Sequence, residues 1–387
     1  MKKLAILLGL VLTSFCVGCT QYIILFKPPA QLDPLPKLKA DKEVTPEDKE
    51  TLAWNMEKVG LDEKTLRENQ GLKGNVNIKV AILSTGIDYN HEDLIGQVVV
   101  NRAEITEAVD IKPSVNYKDD DDNGLVDDIV GYDVVDGDGL AYDRHGAGTA
   151  VAGIIAAKAN GYGIRGIVDN VSLYPIRYIN ENGQSDIPKL VQALEVALKQ
   201  KADVVFVQSL DLPMGGGMGA ADVAGVESQM IAKVLGEFSK TETPIVVGAG
   251  ESLQEFQETA LGKVFSQYKN VIVVTSTDQD GKLGLLANRG NRSVEIAAPG
   301  DKVLSTAPDN KYETVRGTAY AAAHVVGALA IAKAQYGDSL KLSEHVLPAI
   351  TSPKANTPND YIEFAVKSGS ILNVPKFLAA IAEKMGQ

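Results

Sequence analysis

Apolar residues alternate between two regimes along most of the chain. Short continuous runs rich in β-branched residues occur at 78–83 (IKVAIL), 203–208 (DVVFVQ), 244–248 (PIVVG) and 271–275 (VIVVT). They have the length and composition of strands buried on both faces. Between and after them, longer stretches at 148–158, 187–200, 222–240 and 318–335 read as helices, the last with Val325, Val326, Leu329 and Ile331 as its apolar stripe. Strand–helix alternation predicts an α/β fold with a central parallel sheet covered by helices on both faces. No internal repeat or low-complexity tract interrupts it, so residues 52–387 read as one domain. Ligands of such sheets sit at the carboxyl ends of the strands. The loops after 83, 208 and 248 and the turn before 318 are therefore where chemistry is expected.

The N-terminus departs from this pattern. Lys2 and Lys3 precede an apolar run from Leu4 to Phe15, too short for a comfortable membrane span, and small residues then lead to Cys19. This predicts a secretory signal over 1–18. CVGC (16–19) resembles a bacterial lipobox, with Cys16 where that motif usually has leucine. The resemblance implies a lipid on Cys19, a membrane attachment through it, and a place in the bacterial envelope. Thr20 follows the cysteine, where an aspartate would favour inner-membrane retention, so the outer membrane is the expected address. Residues 19–51 carry Pro28, Pro29, Pro34, Pro36 and Pro46 among many charges, which suits a tether. With Cys16 removed, no disulfide can form, and stability must come from the core.

Composition, at 45% hydrophobic and 23% charged, suits a soluble globular domain. A net charge of −12 argues against a nucleic-acid partner. One charge cluster has chemical content. In DDDDNGLVDD (119–128), Asp119, Asp121 and Asn123, followed by Gly124, match the opening of a calcium loop. The Leu125 carbonyl and Asp127 could complete a shell, although Val130 stands where a bidentate glutamate belongs. The alternative is a solvated acidic turn. GYGIRG (161–166) follows a helix and precedes a strand, the reverse of a dinucleotide site, and reads as a turn.

The loops at the strand ends carry four longer motifs. VAILSTGIDYNHEDL (80–94), DRHGAGTAVAGIIAA (143–157), TPIVVGAGES (243–252) and IAAPGDKVLSTAPDNKYETVRGTAYAAAHVVGALAI (296–331) resemble, in order and spacing, the aspartate, histidine, oxyanion-asparagine and serine motifs of the subtilases. SGSILNVPKFLAA (368–380) is similar to the segment that closes that family's domain. The resemblance implies a subtilisin-like three-layer fold. It also implies that Ser84 stands at the aspartate position, Ala147 at the histidine, Glu251 at the oxyanion asparagine and Ala319 at the serine. Ala150 and Ala323 replace a further histidine and a proline of the motifs.

In subtilisin, loss of the serine or histidine alone costs about 10⁶ in turnover. Loss of an oxyanion donor costs a further ~10²–10³. Of the four histidines, His91 and His324 match non-catalytic positions of the motifs, His145 reads as a turn residue, and His345 has no partner in view. From these positions the expectation is a degenerate subtilase, not an enzyme, retaining a cleft lined by Ser209, Leu210, Gly248, Ala249 and Gly250 that holds a peptide or protein. PMGGGMG (213–219) is expected at the rim of that cleft. Two alternatives are a residual or repurposed serine endopeptidase, and a structural envelope scaffold whose cleft is plugged by Tyr320 or Met214. Many subtilases carry a calcium-binding acidic insertion before the histidine motif, which would give calcium a structural role here.

Overall fold

The computed structural model describes residues 33–34, 36–37, 50–68, 78–105, 116–208 and 220–386, with backbone alone at 66–68 and 220–224. The expected signal, Cys19, Ser209, Leu210 and Met214 lie outside the described residues. Among the described residues, eleven strands are β1 (Lys79–Ser84), β2 (Tyr132–Asp133), β3 (Ser172–Arg177), β4 (Val204–Val207), β5 (Ile245–Gly248), β6 (Val271–Thr277), β7 (Ile296–Pro299), β8 (Val303–Ala307), β9 (Lys311–Val315), β10 (Thr357–Pro358) and β11 (Ser370–Ile371). Nine form one sheet in the order β10-β11-β7-β6-β5-β4-β1-β3-β2, parallel except for β10 against β11. β8 and β9 form a separate antiparallel hairpin.

The expected architecture is present. Side chains of a strand alternate between the sheet's faces, and two apolar layers follow from that. Val80, Ile82, Val204, Phe206, Val246, Ile272 and Val274 join one core with the helices Ala147–Ala156 and Thr318–Tyr336. Ala81, Leu83, Val205, Val207, Val247 and Val273 join the other with Ile187–Lys199 and Ala220–Thr241. Helices on both faces of a parallel sheet bury its strands completely, which is why the strand runs lack polar alternation.

β3 has no counterpart among the strand runs singled out in the sequence, because its sequence SLYPIR carries a proline. Proline usually argues against an inner strand. Here Leu173, two residues before it, spends its N–H and C=O on Gln97 and Val99, away from β1. Pro175 has the same parity and therefore owes β1 no donor.

The Thr318–Tyr336 helix is buried for most of its length, and its alanines and Gly327 let it lie close to neighbouring elements. A Cβ at Gly327 would stand 2.5 Å from the Cβ of Ile167, an atom fixed to the backbone. Alanine normally stabilises a helix over glycine by up to about 1 kcal/mol. Gly327→Ala is expected instead to destabilise by roughly 1–3 kcal/mol through overpacking. Urea unfolding measures this, and a stabilised variant would refute the packing argument.

Candidate functional site

The four motif positions are assembled at the carboxyl end of the sheet. Ser84 ends β1, and β1 and β5 flank β4. Ser84 is fully buried, and its hydroxyl donates to the Oε1 of Gln208, the residue after β4. Its carbonyl accepts the N–H groups of Tyr178 and Ile179. Ala147 opens the Ala147–Ala156 helix, which is held against the loop after β1 by Gly148 N–H donating to Thr85 Oγ1 at 2.9 Å. Asp143 fixes the entry to that helix. Its carboxylate accepts from the backbone of His145 (2.9 Å), Gly146 (2.8 Å) and Thr149 (2.9 Å), and from the Thr149 hydroxyl (2.6 Å). An aspartate in this capping role satisfies donors that a helix start leaves unpaired.

The second half is built from β5 and the Thr318–Tyr336 helix. A Cβ at Gly248 would stand 2.7 Å from Thr318 Oγ1 and 2.8 Å from Ala319 N, so glycine permits the strand end to meet the helix start. Gly250 N–H donates to Thr318 Oγ1 at 2.9 Å. Glu251, at the position implied for an oxyanion donor, turns its carboxylate onto this helix start and accepts the Thr318 N–H. An anion there is favoured by the helix dipole. Tyr320 is partly buried between the halves. Its phenol is pushed up to about 12, first by burial and then by the negative charges of Asp143, Glu251 and Glu313.

The expected cleft residues Gly248, Ala249 and Gly250 lie at the centre of this assembly, buried. Ala249 N–H bonds Val274 O at 2.9 Å, and its carbonyl accepts Asn288 Nδ2 at 2.9 Å. The Gly250 carbonyl accepts Asn288 N–H at 2.9 Å. These backbone groups hold the loop rather than presenting a free strand edge.

The histidines lie elsewhere. His145 is exposed beside the turn at Gly183. His91 is buried, with Nε2 facing Lys311 O at 2.9 Å and Nδ1 accepting Asp93 N–H at 3.1 Å. His345 Nδ1 accepts the Lys341 N–H at 2.9 Å. His324, inside the long helix, faces Tyr320 O through Nδ1 and Asn55 Nδ2 through Nε2, both at 2.9 Å. Assigned from that network, Nδ1 carries the proton and Nε2 accepts.

The acidic loop is arranged differently from its sequence reading. Asp119 accepts the N–H groups of Asn123 (3.0 Å) and Gly124 (2.7 Å). Asp127 accepts those of Asn116 (3.0 Å) and Tyr117 (2.8 Å). Asn123 Oδ1 accepts Leu125 N–H at 2.8 Å. Of the five expected ligands, Asp121 alone joins a carboxylate cluster, with Glu104 and Asp128, whose oxygens lie within 4.8 Å of one another. Glu104 and Asp128 are buried, and burial raises both carboxyls. Glu104 lies 17 positions before Asp121, so the loop's spacing gave no sign of it. Asp143 precedes the helix by four residues, one turn ahead of the N-cap Gly146, and no helix-start pattern in the sequence marks it. A second cluster, Asp33, Asp133 and Asp138, meets cations of the chain itself: Arg144 pairs with Asp33, and Arg177 with Asp133 at 2.6 Å.

Comparisons with known proteins bear on the family and the fold. Residues 75–367 match the model of the subtilase family, Peptidase_S8. The major intracellular serine protease of Bacillus subtilis is 32% identical over 278 residues, covering 71% of this chain and 74% of that protein. Subtilisin DY of Bacillus licheniformis is 29% identical over 267 residues, 69% of this chain and 80% of that one. The crystal structure of a cold-adapted subtilisin-like serine proteinase superposes with a TM-score of 0.54 at 20% identity, covering 78% and 90% of the two chains, and shows the fold. These relatives are named as serine proteases, and that overturns the expectation that the chain is not an enzyme.

His324 supplies a pH test of the structure. Burial lowers its pKa from 6.5 to about 4, against the smaller upward pull of the Tyr320 and Ala321 carbonyls. The unfolded chain therefore takes up the proton first as pH falls. The contribution is complete above about pH 6.5 and is lost toward pH 4, amounting to roughly 3 kcal/mol. The difference in unfolding free energy between wild type and His324→Gln should shrink by that amount from pH 7 to pH 4. A difference constant with pH would contradict a buried neutral imidazole.

Proposed function

The chain belongs to the subtilase family, and from that premise we propose that it binds extended peptide or protein segments at the carboxyl end of the sheet, as a lipoprotein of the bacterial envelope anchored through Cys19, with residues 19–51 as tether to a domain spanning 52–387. The observation that carries the binding reading is an apolar rim beside Glu251. Leu253, Leu285 and Leu286 are 53%, 73% and 50% exposed, and Leu253 N–H bonds Leu286 O at 3.2 Å. Apolar side chains gathered in the open mark a contact surface. Ala147 and Ala319 leave short side chains, and Tyr320 brings an aromatic ring beside them.

Hydrolysis, the activity of the named relatives, would have to run here on the groups present. The Ser84 hydroxyl is buried on Gln208, the Thr318 hydroxyl accepts from Gly250, and Glu251, at the position the resemblance implies for an oxyanion donor, carries a carboxylate that accepts the Thr318 N–H.

Calcium is proposed to join Asp121 to Glu104 and Asp128. Three carboxylates, two of them buried, form an oxygen donor set suited to this hard cation, with Glu104 using its remaining lone pairs because its oxygens already accept the N–H groups of Asp120, Asp121 and Asp127. Its role would be structural, fixing the 119–128 turn.

Fluorescence anisotropy with labelled casein peptides tests the binding. Saturable binding is expected, weakened about tenfold in a Leu253→Ser, Leu286→Ser double variant with unchanged melting; no saturable binding would remove the proposal. In the same assay, restoring Asp at 84, His at 147, Asn at 251 and Ser at 319 together should raise turnover at least ~10³-fold over wild type. For the metal, calcium at a hundredfold excess over its dissociation constant should add about 2.7 kcal/mol of stability. Asp121→Ala should abolish that gain, and an unchanged melting temperature in wild type would dispose of the site.

A further inference from the structure

The sheet has a second recess, at the end opposite the candidate site. A cavity of about 490 Å³ opens where β6 begins and where the chain approaches β7. Strands β5, β6 and β7 run parallel, so this is their amino end, remote from Glu251 and Ala319. Its floor is apolar: Phe265, Val271 and Val273 are at most 4% exposed, and Leu347 and Pro348 close one side.

One carboxylate is built into the wall. Glu295 is 6% exposed; its Oε2 accepts Val273 N–H at 2.7 Å, and its Oε1 pairs with Lys367. Both oxygens are thus engaged by the protein itself. Two lysines face the same recess, Lys367 and Lys269. Lys269 is exposed, and among the described residues no carboxylate pairs with it. The exposed Ser266 hydroxyl stands at the mouth. The ionisable lining therefore carries one positive charge more than it neutralises, in a chain whose net charge is −12.

Cavities that hold small organic molecules measure about 300–1,000 Å³ and combine an apolar lining with a few polar groups that fix orientation. An inorganic ion would leave most of this volume, and all of its apolar floor, without contact. We propose that the recess binds a small organic carboxylate with an apolar body, the carboxylate meeting Lys269 and the free donors of Lys367, and the body covering Phe265, Val271 and Val273. Two sources share this chemistry: a free apolar acid, and the terminal carboxylate of a peptide ending in an apolar residue.

Isothermal titration of the purified chain with 3-phenylpropionate tests the proposal, with its neutral amide as control. A tetrapeptide ending in leucine and its C-terminal amide form the second arm. Saturable binding of at least one acid, about tenfold tighter than its amide, is expected. Which acid binds tighter identifies the source. Lys269→Glu should weaken that acid at least tenfold, and Ser266→Trp should block the mouth. Both positions are exposed, and their melting curves should match wild type. Absence of saturable binding by both acids, equal binding of acid and amide, or an unaffected Lys269→Glu variant would each overturn the proposal. Competition with labelled casein peptide separates this recess from the candidate cleft: the two ligands should bind without displacing each other, and displacement would assign the acid to the cleft.

Discussion

The carboxyl end of the sheet depends on one buried carboxylate. Asp143 is shielded from solvent, and its two oxygens take up four donors around the start of the Ala147–Ala156 helix. Thr149, held by it, accepts the Asp88 N–H at 2.9 Å and so ties the helix to the loop that leaves β1. A buried charge is tolerable only when hydrogen bonds replace its lost hydration. Removing the carboxylate would strand several donors together, so the turn and the loop must be held or lost as a unit. The positions of Ser84 and Ala147 are consequences of this knot.

The other half rests on a different device. Thr318 and Ala319 begin a 19-residue helix whose first N–H groups must find acceptors. Glu251 supplies a charged acceptor from the neighbouring loop, and Thr318 returns a hydroxyl to Gly250. The same side chain that is ill suited to stabilise a developing oxyanion is thus well suited to cap a helix. The geometry of the subtilase site and its charge pattern are separable. Close approach is set by small residues such as Gly248, while charge is set by the single side chain that follows the turn.

How much of this could be read from sequence depends on the range of the interaction. Strands buried on both faces and the helix starts left local signals, while the four motif positions rested on the resemblance to the subtilase motifs. β3 did not, because Pro175 is a local signal against a strand whose cost vanishes only when the neighbour's hydrogen-bond parity is known. The acidic loop misled for a related reason. Its alternating carboxylates suggest ligands, yet backbone N–H groups occupy Asp119 from just ahead and Asp127 from Asn116 and Tyr117 at the start of the loop, and Glu104 arrives from a distant turn. The enzyme expectation failed at another level: it carried the chemistry of four positions over to the whole chain, whereas the named relatives are proteases.

The two ends of the sheet now present opposite electrostatics on a shared scaffold. Asp143, Glu251 and Glu313 raise the negative potential at Tyr320 at one end, while Lys269, which pairs with no carboxylate among the described residues, faces the recess at the other. β6, with seven residues, separates them by roughly 20 Å at about 3.3 Å per residue. Coupling between two sites requires an element with two alternative arrangements that both ligands bias. The strands between them offer none: every residue of β5 and β6 is buried, and their register is fixed on both sides. A close-packed sheet is not continuously deformable, so without a second arrangement it gives the two ends nothing to share. The physical expectation is therefore two independent sites on one rigid frame, each answering to the chemistry of its own end.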